Sequence, residues 1–105
     1  MNENGYIVGI GGTNVDFCGR SFRAVRMRDS NPGEVRVSAG GVTRNVCENL
    51  ARLGADVRLI TALGDDANAA FLRRACEEAG IDLSCAYYMK NQTSSAYISI
   101  LDEEV

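Results

Sequence analysis

At 105 residues, 46% apolar and 24% charged, the chain has the make-up of one globular domain with a modest core. Its net charge of −3, with arginines scattered rather than clustered, argues against a nucleic-acid binder that neutralises phosphates. Histidine is absent, which excludes histidine-based acid–base or triad chemistry within the chain, and no apolar run approaches the ~18 residues of a membrane span.

Residues 6–10, YIVGI, form a short apolar run that ends in Gly11-Gly12 and predicts a buried strand. A weaker, mixed strand is expected at 17–25. Asn31-Pro32-Gly33 predicts a turn, with proline fixing one φ and glycine supplying a permissive one. Residues 34–38, EVRVS, alternate strictly and predict a half-exposed strand. The helix after Gly41 places Val42, Val46, Leu50 and Leu53 on one stripe, which predicts its inward face. Arg44, Glu48 and Arg52 recur four apart on another face suited to solvent. Gly54 suits the position just past the helix.

Residues 57–63, VRLITAL, predict a second buried strand. A second helix is expected over 64–80, with Leu72, Cys76 and Ala79 inward. Arg73 with Glu77, and Arg74 with Glu78, would pair outward on it, and Gly80 would end it. Two further strands are expected at 86–90 and 95–101. The β-α-β-α core predicts an α/β fold with a parallel sheet and right-handed crossovers. The alternating strands near 17–25, 34–38, 86–90 and 95–101 do not suit a sheet buried on both faces. They predict a separate small sheet projecting from it.

The four cysteines, Cys18, Cys47, Cys76 and Cys85, lack C-x-x-C spacing, so no metal site is expected. Cys47 and Cys76 read as small buried hydrophobes. The N-terminus lacks the layout of a secretory signal, so a reducing, cytoplasmic location is expected.

The glycines could serve several ligands. A dinucleotide fingerprint starting at Gly9 would need glycine where Asn14 stands. The phosphate P-loop needs Gly-Lys, and the only lysine is Lys90. An anion at the helix start after Gly40-Gly41 stays open. Asn14, Asp16, Gly40, Gly41 and Asn45 together suggest polyol recognition. In an extended Asn-x-Asp both side chains point one way. The carboxylate accepts hydroxyl hydrogens, the amide donates and accepts, and the glycines let a ring approach the backbone. Arg44 suits equally a solvated partner of Glu48 or a contact to a base or phosphate. Tyr87, Tyr88 and Tyr97 read as sheet-face packing rather than nucleobase stacking, and Thr93, Ser94 and Ser95 as a turn before a strand.

GGTNVD, then AGGVTRNVCENLARLG and ITALGDD, resemble the amino-terminal portion of the ribokinase-type (PfkB) carbohydrate kinases. The resemblance covers essentially the whole chain. Within the family, DSNPGEV, GGVTRN and QTSSAYISILD look most like pseudouridine kinases. Thr43 stands where a smaller residue is common, and Ala69 where the helix after GDD often has glycine. The resemblance implies a ribokinase-like parallel sheet with flanking helices plus a small β-sheet lid. It implies transfer of a phosphoryl group from ATP to a sugar or nucleoside hydroxyl, with Mg2+ and, in many members, a monovalent cation such as K+.

Carried over by position, Asp16 would grip sugar hydroxyls, with Asn14, Gly40, Gly41 and Asn45 around it and Thr93 and Ser95 contributing from the lid. A homodimer through the lid is implied too. The family's carboxyl-terminal Gly-Ala-Gly-Asp stretch, source of the catalytic base and anion hole, does not occur here. GDD at 64–66 opens the second helix and does not replace it. The chain is therefore expected to carry the sugar-binding half, with the ATP-binding half absent and no phosphotransfer of its own. A ribokinase- or fructokinase-type acceptor is the neighbouring alternative. A non-catalytic polyol-binding or dimerising module is the other, should translation end at Val105. A dinucleotide-dependent enzyme is disfavoured by Asn14.

Overall fold

The computed structural model describes residues 5–102. The apolar run after Tyr6 forms β1 (Ile7–Ile10). It is followed by β2 (Asn14–Ser21), β3 (Gly33–Gly40), α1 (Val42–Arg52), β4 (Val57–Ile60) and β5 (Ala62–Leu63). Then come α2 (Ala67–Ala79), β6 (Ile81–Asp82), β7 (Tyr87–Tyr88) and β8 (Ala96–Leu101). A parallel sheet has the order β1-β4-β6, with Ile7 opposite Val57 and Val57 opposite Ile81. A second sheet has the order β3-β2-β8, antiparallel on one side and parallel on the other. β5 and β7 pair in parallel by themselves.

Two apolar clusters hold these pieces together. Cys47, Val57, Leu59, Cys76, Ala79, Ile81 and Leu83 join both helices to the parallel sheet. Val15, Leu63, Ala69 and Leu72, with Phe17, Ala39 and Phe71 against them, dock α2 onto the root of β2 and β3. Each fully buried aliphatic side chain stabilises the fold by roughly 1.5–3 kcal/mol.

The strand expected at 17–25 lies at Asn14–Ser21, because its ladder with β3 runs from Asn14 opposite Gly40 to Ser21 opposite Gly33. Residues 22–25 have left that ladder. β3 is longer at both ends than 34–38. The positive φ of the connecting loop falls on Arg28, at 61°, not on Gly33, which already opens β3. The Asn31 side chain ties this loop by accepting from the Arg26 N–H (2.7 Å) and donating to the Arg26 carbonyl (3.0 Å).

The stretch 57–63 is two strands with a break at Thr61, and β5 turns to a different partner from β4. The strand expected at 86–90 is only Tyr87–Tyr88, and it pairs with β5 rather than joining the small sheet. That sheet therefore has three strands. α2 starts at Ala67, with Asp66 as its N-cap and Gly80 in the left-handed conformation at its end. Arg73, Arg74, Glu77 and Glu78 are exposed, but none of them pairs with another.

The inward face of α1 differs from the stripe expected. Val42 is 84% exposed, and Val46 and Leu53 are exposed as well, while Arg44 and Cys47 are buried. β1 explains the rotation. A Cβ built at Gly9 would lie 2.4 Å from Cys47 Sγ, and one at Gly11 would lie 2.1 Å from Thr43 Oγ1. The missing side chains at Gly9 on β1 and at Gly11 just past it let the Thr43/Cys47 face seat directly on this segment, which turns the valine stripe outward.

Candidate functional site

The candidate site begins where β1 gives way to β2, past the carboxyl end of a parallel strand. Asn14 and Asp16 are two apart on the extended β2 and share a face. Asn14 Nδ2 donates to Asp16 Oδ1, and both residues are half-buried. Gly40 lies directly opposite Asn14 on β3. A Cβ at Gly40 would stand 2.3 Å from Asp16 Oδ2 and 2.8 Å from Oδ1, so the carboxylate fills the space of the absent side chain. Gly41 is the N-cap of α1 with φ 104°, and a Cβ there would lie 2.4 Å from the Gly12 carbonyl oxygen. Gly41 therefore packs backbone against backbone on Gly12. No side chain caps α1, so capping takes none of its first-turn N–H groups.

The register adds Ser38, which sequence reasoning passed over, and Tyr97, which it assigned to sheet packing. Ser38 on β3 and Tyr97 on β8 both pair with Asp16 and share its face. Tyr97 is 62% exposed, so it is not the packing residue expected. Only the pairing of three strands distant in sequence reveals this row.

Asn45 donates its backbone N–H to the Gly41 carbonyl (2.9 Å), closing the first helical turn. Its side chain is exposed, and its Oδ1 accepts from Arg44 Nη1 at 2.8 Å. Arg44 is not on a solvated face: it is 4% exposed. Its guanidinium also donates to the Ala39 carbonyl (3.4 Å) and to Glu48 Oε1. Glu48 Oε2 accepts from Arg52 Nε at 3.0 Å. The bonds from Arg52 and then Arg44 hold the Glu48 carboxyl below the usual carboxylate range. Burial pushes the Cys47 and Cys76 thiols up, with the nearby Arg44 charge working against it.

Thr93 and Ser95 are exposed on the approach to β8. The Val15 N–H donates to the Ser95 carbonyl (3.0 Å), the first rung between β2 and β8. Between them Ser94 is buried. Its N–H and Oγ donate to Asp66 at 2.9 and 2.7 Å, and its Oγ accepts from the Gly64 N–H at 3.0 Å. The Asp66 carboxylate also accepts the Ala69 N–H (2.9 Å), so one side chain caps α2 and anchors the entry to β8. These bonds, those from Ser94 first, draw the Asp66 carboxyl below its ordinary value.

The structure thus gathers Asn14, Asp16, Gly40 and Gly41, and brings the Ser95 backbone against β2. No hydrogen bond links the Asn45, Thr93 or Ser95 side chains to the Asn14–Asp16 pair. Among the described residues no group of three or more His, Cys, Asp or Glu side chains could hold a metal ion, and no lysine-bearing phosphate loop occurs. Among the described residues no helix is long and apolar enough to cross a membrane.

A family model described as pfkB family carbohydrate kinase matches residues 4–105. The chain is 35% identical over 102 residues to the pseudouridine kinase of Escherichia coli (strain K12), a match spanning 97% of this chain and 33% of that protein. It superposes on a carbohydrate kinase from Agrobacterium tumefaciens with a TM-score of 0.83 at 29% identity, covering 94% of this chain and 32% of the other. It also superposes on aminoimidazole riboside kinase from Salmonella enterica, solved with aminoimidazole riboside and an ATP analogue. There the TM-score is 0.69 at 28% identity, over 90% of this chain and 28% of that one. The chain spans about a third of the length of these proteins.

Proposed function

Because the chain belongs to the pfkB family of carbohydrate kinases, we propose that it is the acceptor-binding part of an ATP-dependent kinase that phosphorylates pseudouridine to pseudouridine 5′-phosphate. The observation that carries this reading is the Asp16 carboxylate, held by Asn14 over the bare backbone of Gly40. An ionised carboxylate only accepts hydrogen bonds, so it takes its partners from hydroxyl hydrogens, and each such bond contributes about 1.5–3 kcal/mol. In this reading Asn14 and Gly41 border the acceptor, and Asn45 from α1 and Thr93 and Ser95 from the β8 side contribute further contacts to it. The 35% identity to a pseudouridine kinase over nearly the whole chain supports the choice of acceptor.

ATP, with Mg2+ and a monovalent cation such as K+, supplies the phosphoryl group when bound. The residues described here bind and orient the acceptor. In the transfer the bond from the γ-phosphorus to its bridging oxygen breaks, and a bond to the acceptor oxygen forms. The acceptor proton leaves to a base that we assign to polypeptide outside these residues. The three-stranded sheet is the lid of the site. Its other face exposes Val35, Val37, Ile98 and Ile100, an apolar surface suited to a second copy of the lid. The free cysteines suit a cytoplasmic protein.

The test is phosphorylation of pseudouridine, uridine, ribose, fructose and adenosine by the full-length protein. Pseudouridine is expected to have the highest kcat/KM. Ribose or fructose in first place would move the protein to a ribokinase- or fructokinase-type acceptor.

A further inference from the structure

Arg44 is the one charged side chain among the described residues that is buried. A buried guanidinium is costly unless it is paired and hydrogen-bonded. From the first turn of α1 a long side chain could reach water. Instead it turns under the strand-to-helix junction, onto the Ala39 carbonyl just before Gly40, the Asn45 amide oxygen and the Glu48 carboxylate. Glu48, itself held by Arg52, balances the charge.

Arginine carries donors and no acceptor. The amide atom of Asn45 that faces Arg44 must therefore be the oxygen, since the opposite flip would set donor against donor. That leaves the Asn45 NH2 group with both hydrogens unused within the described chain. The same guanidinium grips β3 one residue before Gly40, so it ties the orientation of Asn45 to the strand that faces Asp16.

We propose that Arg44 is a positioning residue for the acceptor site, holding Asn45 so that its amide presents a donor. Asn45 then reads an acceptor oxygen, while Asp16 reads hydroxyl hydrogens. The substrate is met by two groups of opposite hydrogen-bonding sense. The inference rests on the proposed role of Asn45 at the acceptor.

The test uses the full-length protein and the variants R44M, R44K, N45A and R44M/N45A, each checked by thermal melting. Losing one oriented hydrogen bond should raise the acceptor KM of R44M about tenfold and leave the ATP KM within about twofold. R44K should recover part of the loss. With N45A already present, R44M should add nothing to the acceptor KM, because no amide remains to be oriented. An equal effect of R44M with and without N45A would overturn the proposal.

The Asn45 side-chain amide signals in an NMR spectrum, identified by their loss in N45A, give a readout independent of activity. They should shift in R44M, and unshifted signals overturn the positioning role. If N45A leaves the acceptor KM within about twofold, the role of Asn45 at the acceptor fails, and the amide signals alone decide whether Arg44 orients it. Should R44M not fold, R44K carries the same comparison.

Discussion

The carboxylate of Asp16 occupies the volume that a side chain at Gly40 would need, with Oδ2 2.3 Å from the position of the missing Cβ. Gly40 has no positive φ, so alanine suits its backbone, and the obstacle is a movable side chain. Gly40→Ala should therefore displace Asp16 and spare the fold. We expect the acceptor KM to rise about tenfold, the loss of one charged hydrogen bond, with little change in melting temperature. Gly41→Ala should behave oppositely, because its φ of 104° and the Gly12 carbonyl at 2.4 Å are backbone constraints. It should cost about 1–3 kcal/mol of stability, read from denaturant unfolding.

Removing the carboxylate itself should separate the two substrates. Asp16→Ala in the full-length protein should weaken acceptor parameters by about 1.5–3 kcal/mol, roughly 10- to 100-fold in kcat/KM, and leave the ATP KM almost unchanged. Acceptor constants within about twofold of wild type would rule out Asp16 as the group that holds the sugar.

Asp66 makes a prediction about acid. Its bonds from Ser94 and Ala69 lower its carboxyl pKa in the folded chain. The folded state then binds fewer protons than the unfolded state across the ordinary carboxylate range. The stabilisation is present in full above that range and is lost as pH falls through it toward the folded value. Melting temperature should therefore fall below about pH 4. Asp66→Asn should be less stable at neutral pH and flatter over the acid limb. An acid limb of unchanged steepness in that variant would show that Asp66 does not contribute. Glu48, lowered by Arg52 and Arg44, acts in the same direction.

Residues 1–105 expressed alone should transfer no phosphate from labelled ATP to any acceptor of the panel. Phosphoryl transfer needs a phosphate cradle and charge stabilisation as well as an acceptor site. The exposed edge and apolar faces of the sheets should also make this piece self-associate, which light scattering would measure. Turnover by a well-behaved monomer would contradict both expectations.

The sequence by itself determined the α/β class, both helices, most strands and the residues of the Asn14–Asp16–Gly40–Gly41 cluster. These depend on local order: strand runs, glycine at strand-to-helix junctions, and the period-two spacing that sets Asn14 and Asp16 on one face. Tertiary structure decided the rest. The α1 valine stripe reads as inward from periodicity alone, but Gly9 on β1 and Gly11 just past it let Thr43 and Cys47 approach closer, with Arg44 buried instead. Tyr87 and Tyr88 alternate like lid residues, yet parallel pairing with β5 takes them to another sheet. Ser38 and Tyr97 flank Asp16 only through the register of three strands, and the burial of Arg44 against Ala39, Asn45 and Glu48 depends on how α1 seats on the fold. Side-chain spacing is written along the chain. Which of two faces packs, and which strands pair, depends on contacts between segments far apart in it.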